Sequence, residues 1–104
     1  MAQVDWYYHR NGCRTCQRAD DYLQRHDLEV KEQRDARKEH ISPAEAVRLA
    51  RGVDQLWVAR GKSVLFFDMK KDPPSDAQLK KVLIGHSGNL RAPTIRQGKK
   101  MLRL

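Results

Sequence analysis

Cysteine is nearly absent from this chain: there are two, Cys13 and Cys16, with two residues between them. A secreted disulfide framework spreads many cysteines along its length, so that class is excluded. Long apolar runs are missing as well. None approaches the roughly 20 residues that span a bilayer. The start, Met1-Ala2-Gln3-Val4-Asp5-Trp6, lacks the basic end and apolar stretch of a signal peptide, so the expected location is the cytoplasm, with no membrane partner. There is no repeat, low-complexity tract or interdomain linker, and 104 residues make one domain with a single modest core. Acid is the scarcer charge, 13 residues against 21 basic ones, and no acid follows Asp76.

The net charge of +8 favours anionic partners: nucleic acid, acidic protein surfaces or oxyanion substrates. The basic end, Arg91, Arg96, Lys99, Lys100 and Arg103, reads equally as a solvated surface. It carries no recognised DNA-binding motif and no aromatic–basic interleaving, which argues against direct sequence-specific DNA binding.

Local patterns alternate between strand and helix. Gln3 to Tyr8 reads as a strand with Val4, Trp6 and Tyr8 on one face. Arg10-Asn11-Gly12 breaks it. From Cys13 the spacing turns helical, with Cys16, Ala19, Leu23 and His26 recurring at three and four. Leu28 to Gln33 returns to alternation, completing a βαβ unit. Ser42-Pro43-Ala44-Glu45 opens a helix with Ala46, Val47, Leu49 and Ala50 inward and Gly52 at its end. Asp54 to Gly61 reads as another short helical piece anchored by Leu56 and Trp57. Ser63 to Met69 reads as a buried strand or a packed loop. Ser75-Asp76-Ala77-Gln78 opens a further helix with Leu79, Val82 and Leu83 on one face. Pro93 to Arg96 and Lys99 to Leu104 form a terminal hairpin turning at Gln97-Gly98, with Leu102 and Leu104 alternating.

Cys13-Arg14-Thr15-Cys16 sits where a strand passes into a helix. The thiolate is the reactive form, and a helix N-terminus and nearby cations lower a thiol pKa from about 8.5. Arg10 and Arg14 bracket Cys13, and His9 is close in sequence. The spacing lets Cys16 attack a mixed disulfide formed on Cys13, so Cys13 is the candidate nucleophile and Cys16 the resolving thiol. Two other readings stand beside this one. A structural zinc needs four ligands, and His9, His26, His40 and His86 show no paired spacing. Two buried core thiols need no chemistry at all.

Tyr8 to Ala19 around the two cysteines, together with Arg91-Ala92-Pro93-Thr94-Ile95, resembles the arsenate reductase and Spx family. The resemblance implies an α/β thioredoxin-like fold, a mixed four-stranded sheet, with a helical insertion at 42–84. Members of the family continue past the last strand into a further helix, which this chain, ending at Leu104, is expected to lack. By resemblance, Cys13 is the redox-active cysteine, and Cys16 is the second cysteine of Spx-type members. Pro93 is then a cis-proline facing the site, and Arg91 and Arg60 hold an oxyanion, with Arg10 and Arg14 adding positive charge. An arginine presents a rigid donor fork that suits a tetrahedral oxyanion.

Two functions follow. One is a thiol–disulfide oxidoreductase acting on a small oxyanion or disulfide, with no bound cofactor or metal, recycled by thioredoxin, glutaredoxin or glutathione. The other is a redox-sensing regulator that binds RNA polymerase. A third possibility is a domain that keeps the fold without the chemistry.

Overall fold

The structure is a computed structural model, and it describes residues 3–10, 14–85 and 88–104. It is a mixed α/β fold of three helices on a six-stranded mixed sheet, with a small two-stranded extension. No described helix is long and apolar enough to cross a membrane.

The first strand runs in two pieces, β1 (Gln3–Val4) and β2 (Trp6–His9), bent at Asp5. Asp5 gives its N–H to the Arg96 carbonyl at 3.0 Å, and its carboxylate accepts the Gly98 N–H. The bend overturns the expected common face of Val4, Trp6 and Tyr8. Val4 packs with Tyr7 on one side of the sheet, while Trp6 and Tyr8 stack at 5.6 Å on the other. Helix α1 (Arg14–Arg25) buries Cys16, Ala19 and Leu23, the expected stripe; His26 lies past its end and is exposed. The chain then returns through β3 (Glu29–Val30) and β4 (Gln33–Asp35), parallel to β1 and β2 respectively.

Helix α2 (Pro43–Arg51) begins where the sequence says it should. Ser42 Oγ accepts the Glu45 N–H at 3.3 Å, Pro43 occupies the first turn, and Gly52 closes the end. Strands β5 (Gln55–Arg60) and β6 (Ser63–Asp68) come next, and here the structure corrects the sequence reading. Asp54 to Gly61 is not helical. It pairs with Ser63 to Asp68 as a hairpin, so the segment 42–84 holds two helices with two strands between them. The run Leu56-Trp57-Val58-Ala59 lacks clean alternation because both faces of β5 are at least half covered. Helix α3 (Asp76–Leu83) is capped by Ser75 Oγ on the Gln78 N–H at 3.2 Å and tied to α2 through Arg51, which bonds Asp76 and the Pro74 carbonyl.

The terminal hairpin, β7 (Thr94–Gln97) and β8 (Lys100–Arg103), forms as expected. Both hairpins turn through a Gly-Lys pair, with Gly61 at φ +60° and Gly98 at φ +59°, where a side chain would be strained.

The sheet order is β4-β2-β7-β8-β5-β6. The sheet has six strands where four were expected; the β5–β6 hairpin joins it at the β8 edge through a parallel β5–β8 pair. Helices α2 and α3 cover one face, over Trp6, Tyr8, Leu56, Val58 and Met101. On the opposite face α1 packs over Tyr7, with Ile95 against the same cluster.

Candidate functional site

The strand directions bring one set of ends together. Strands β2, β8 and β5 run parallel to one another, and β7 runs against β2 and β8. One end of the sheet thus carries the exit of β2 (His9, Arg10), the exit of β5 (Arg60), the exit of β8 (Arg103) and the entry to β7 (Arg91 to Pro93). Cys13, the candidate nucleophile, lies outside the described residues. Arg10 and Arg14, which flank it, are described and exposed at this end.

Cys16 is fully buried on α1, and the Arg10 N–H points at its Sγ at 3.4 Å. Beneath it is a polar link between strand and helix. Tyr7 donates its hydroxyl to Asp20 Oδ1 at 2.9 Å and approaches the Cys16 carbonyl at 3.3 Å; His9 Nε2 lies 2.8 Å from Asp20 Oδ2. Asp20 follows Cys16 by one helical turn. Its two oxygens therefore fix the exit of β2 against the start of α1, which frames the segment holding Cys13.

Arg91 is set by its backbone. Its N–H bonds the Leu83 carbonyl at 3.0 Å, and its carbonyl accepts the Thr94 hydroxyl at 2.7 Å. The stem of its side chain runs over Gly85, where an added Cβ would sit 2.7 Å from Arg91 Cγ. The Ala92–Pro93 peptide bond is cis, and Pro93 is buried between the Arg91 turn and β7.

Arg103 is a functional candidate that the sequence reading passed over. It is only 3% exposed. Its Nη2 donates to the Ala59 carbonyl at 2.9 Å, while its Nε is buried with no hydrogen-bond partner among the described residues. Among the described residues no carboxylate is paired with it. Burial first, and then the positive charges of Arg91 and Arg60, together depress its pKa to about 10. Arg60, Arg91 and Arg103 all line one groove of about 1210 Å³, which Thr15 and Arg18 of α1 also line. Three arginines meeting without an acid form a site for a compact anion. Such an anion would cancel the mutual repulsion. Arg10 and Arg14 do not line the groove.

One signal for Arg103 was present in the sequence: in a strand, Met101 and Arg103 share a face opposite Leu102 and Leu104. Met101 and Arg103 are the buried pair, and the two leucines are half-exposed.

No family model, no curated protein and no solved structure matches this chain.

Proposed function

We propose that the protein is a thioredoxin-fold, thiol-dependent reductase of a small oxyanion, of the arsenate reductase type. The observation that carries this is Arg103: buried, without a carboxylate partner among the described residues, and beside Arg60 and Arg91 at the end of the sheet that also carries Arg10 at the exit of β2. A binding surface for a broad polyanion has no need to bury an arginine at such a cost, whereas a tetrahedral oxyanion fits a converging set of donors. The thioredoxin-like reading is supported by the run β4-β2-β7-β8, parallel then antiparallel twice, with α1 leading from β2 toward β3 and β4.

In this reading the arginines hold arsenate and the Cys13 thiolate attacks its arsenic. An S–As bond forms, and a hydroxyl leaves as water with one proton. A second thiol then attacks the Cys13 sulfur and loses its proton. The S–As bond breaks with its electron pair remaining on arsenic, which leaves as trivalent arsenite, and a disulfide remains. Cys16 is the candidate second thiol. It is in the first turn of α1, three residues on in sequence, and shielded from solvent, which suits a sulfur whose intended target is its neighbour. Two electrons from thioredoxin, glutaredoxin or glutathione reopen the disulfide.

The test is arsenate turnover with each of these three reductants supplied in turn. Arsenite release with at least one of them, abolished in Cys13→Ser, supports the reductase. A disulfide that forms and is reduced with no arsenite produced points instead to the redox regulator.

A further inference from the structure

We propose that the open half of the sheet face beside α1 is the docking site for an acidic amphipathic helix of a partner protein. This inference does not depend on the cysteine chemistry.

A single cross-strand row runs Tyr7, Ile95, Leu102, Trp57, Phe66. At one end, Tyr7 is 1% exposed under α1. At the other, Phe66 is 51% exposed, with its ring tilted against Trp57 at 5.2 Å. Leu102, Trp57 and Phe66 belong to neither of the two buried clusters. Val64, paired with Ala59 in the same sheet face, is 61% exposed. An apolar floor is therefore half-buried over β8 and β5 and exposed at β6, while α1 covers the β2 and β7 side.

The dimensions suit one helix. Two strand spacings cover about 10 Å, close to the diameter of a helix with its side chains. The wall on one side is α1, so an added helix would lie next to α1 as a second member of the same layer.

The charge selects the partner. The groove beside α1 is lined by the exposed cations Arg18, Arg60, Arg91 and Lys100 and by no Asp or Glu; beyond it on β6, Asp68 shares the face of Phe66 and Val64, with its carboxylate accepting the Lys70 and Lys71 N–H groups. A helix with one apolar face and glutamates on its flanks satisfies both the floor and the rim. A second copy of this chain is a poor occupant, because the net charge is +8 and apposed faces would set rim against rim. Double-stranded nucleic acid offers the charge with its base faces stacked out of reach, and single-stranded DNA is the competing occupant that the experiment includes.

The experiment titrates the full isotopically labelled chain with a synthetic peptide of about four turns, with leucines at i, i+3, i+4 and i+7 and glutamates elsewhere, while amide and indole NMR shifts are followed. The controls are a scrambled peptide of the same composition, single-stranded DNA, and phosphatidylserine vesicles. The expected result is shifts at the Trp57 indole and at Leu102 and Phe66. Binding should be at least about tenfold tighter than for the scrambled peptide. It should weaken about tenfold in Phe66→Glu and in Lys100→Glu, both exposed positions that leave the fold intact, and stay unchanged in Lys38→Glu on the far edge. The proposal is overturned if the scrambled peptide binds equally well, if the shifts fall elsewhere, or if DNA or vesicles perturb the same residues more strongly. It is also overturned if these residues shift with protein concentration alone, which would make the occupant a second copy.

Discussion

Arg103 Nη2 donates to the Ala59 carbonyl at 2.9 Å, and this one bond both pins the end of β8 to β5 and holds a buried guanidinium beside Arg60. The arrangement is costly to the fold and useful to an anion.

The cost predicts an unusual mutant. The pKa of Arg103 is lowered on folding from the ordinary guanidinium range to about 10, chiefly by burial. A base whose folded pKa is lowered is destabilising while it stays charged. The penalty is thus fully present below about pH 10 and is relieved as pH rises above that. Its upper bound is on the order of 3 kcal/mol, against which stands the lost bond to Ala59, worth about 1 kcal/mol. Arg103→Met is expected to raise stability by about 1–2 kcal/mol at neutral pH while removing oxyanion affinity. Urea denaturation and phosphate titration of the same variant check both halves.

Bound oxyanion should offset the same repulsion. Phosphate or arsenate is expected to raise the thermal midpoint of the native chain, and the effect should fade as pH climbs through 10, where Arg103 begins to lose its charge. Thermal melts across pH with and without phosphate measure it.

Gly85 leaves room for Arg91. A methyl group there would meet Arg91 Cγ at 2.7 Å, too close to the backbone for the side chain simply to swing away at its tip. Gly85→Ala is expected to displace Arg91 and weaken phosphate binding by about tenfold, with a stability change well under that of a core truncation. Titration calorimetry on the variant is the check.

Asp20 joins β2 to α1 through Tyr7 and His9. Asp20→Ala is expected to destabilise the fold by about 1–3 kcal/mol, and Asp20→Asn by less, because the amide keeps one acceptor for the Tyr7 hydroxyl. Urea midpoints of the pair give the comparison.

Much of this architecture was legible because local chemistry and tertiary packing agree. The capping serines, Ser42 and Ser75, mark α2 and α3, and the buried stripe of Cys16, Ala19 and Leu23 marks α1. The β5–β6 hairpin was misread although its signal was there: Gly61-Lys62 repeats the Gly98-Lys99 turn, which the sequence reading placed one residue earlier, at Gln97-Gly98. Trp57 obscured it. On β5 it lies on the less covered face between buried Leu56 and Val58, so the strand reads as an unbroken apolar run that suits a helix equally well. At the site, the Arg91 turn and the Cys16 helix face were legible from short motifs. Arg103 was not, because a charged residue near a chain end reads as solvated unless the register of its strand is known. That register, Thr94 to Arg103 to Val58, is a tertiary fact.

A single-turnover reaction of the reduced chain with arsenate, followed by arsenite and thiol quantification, bears most directly on the proposed chemistry. The expected result is one arsenite formed and two thiols lost per chain, none in Cys13→Ser, and a rate lowered about a hundredfold in Arg103→Met, a variant expected to be the more stable. No arsenite with both thiols retained, or equal rates in the native chain and Arg103→Met, would contradict it.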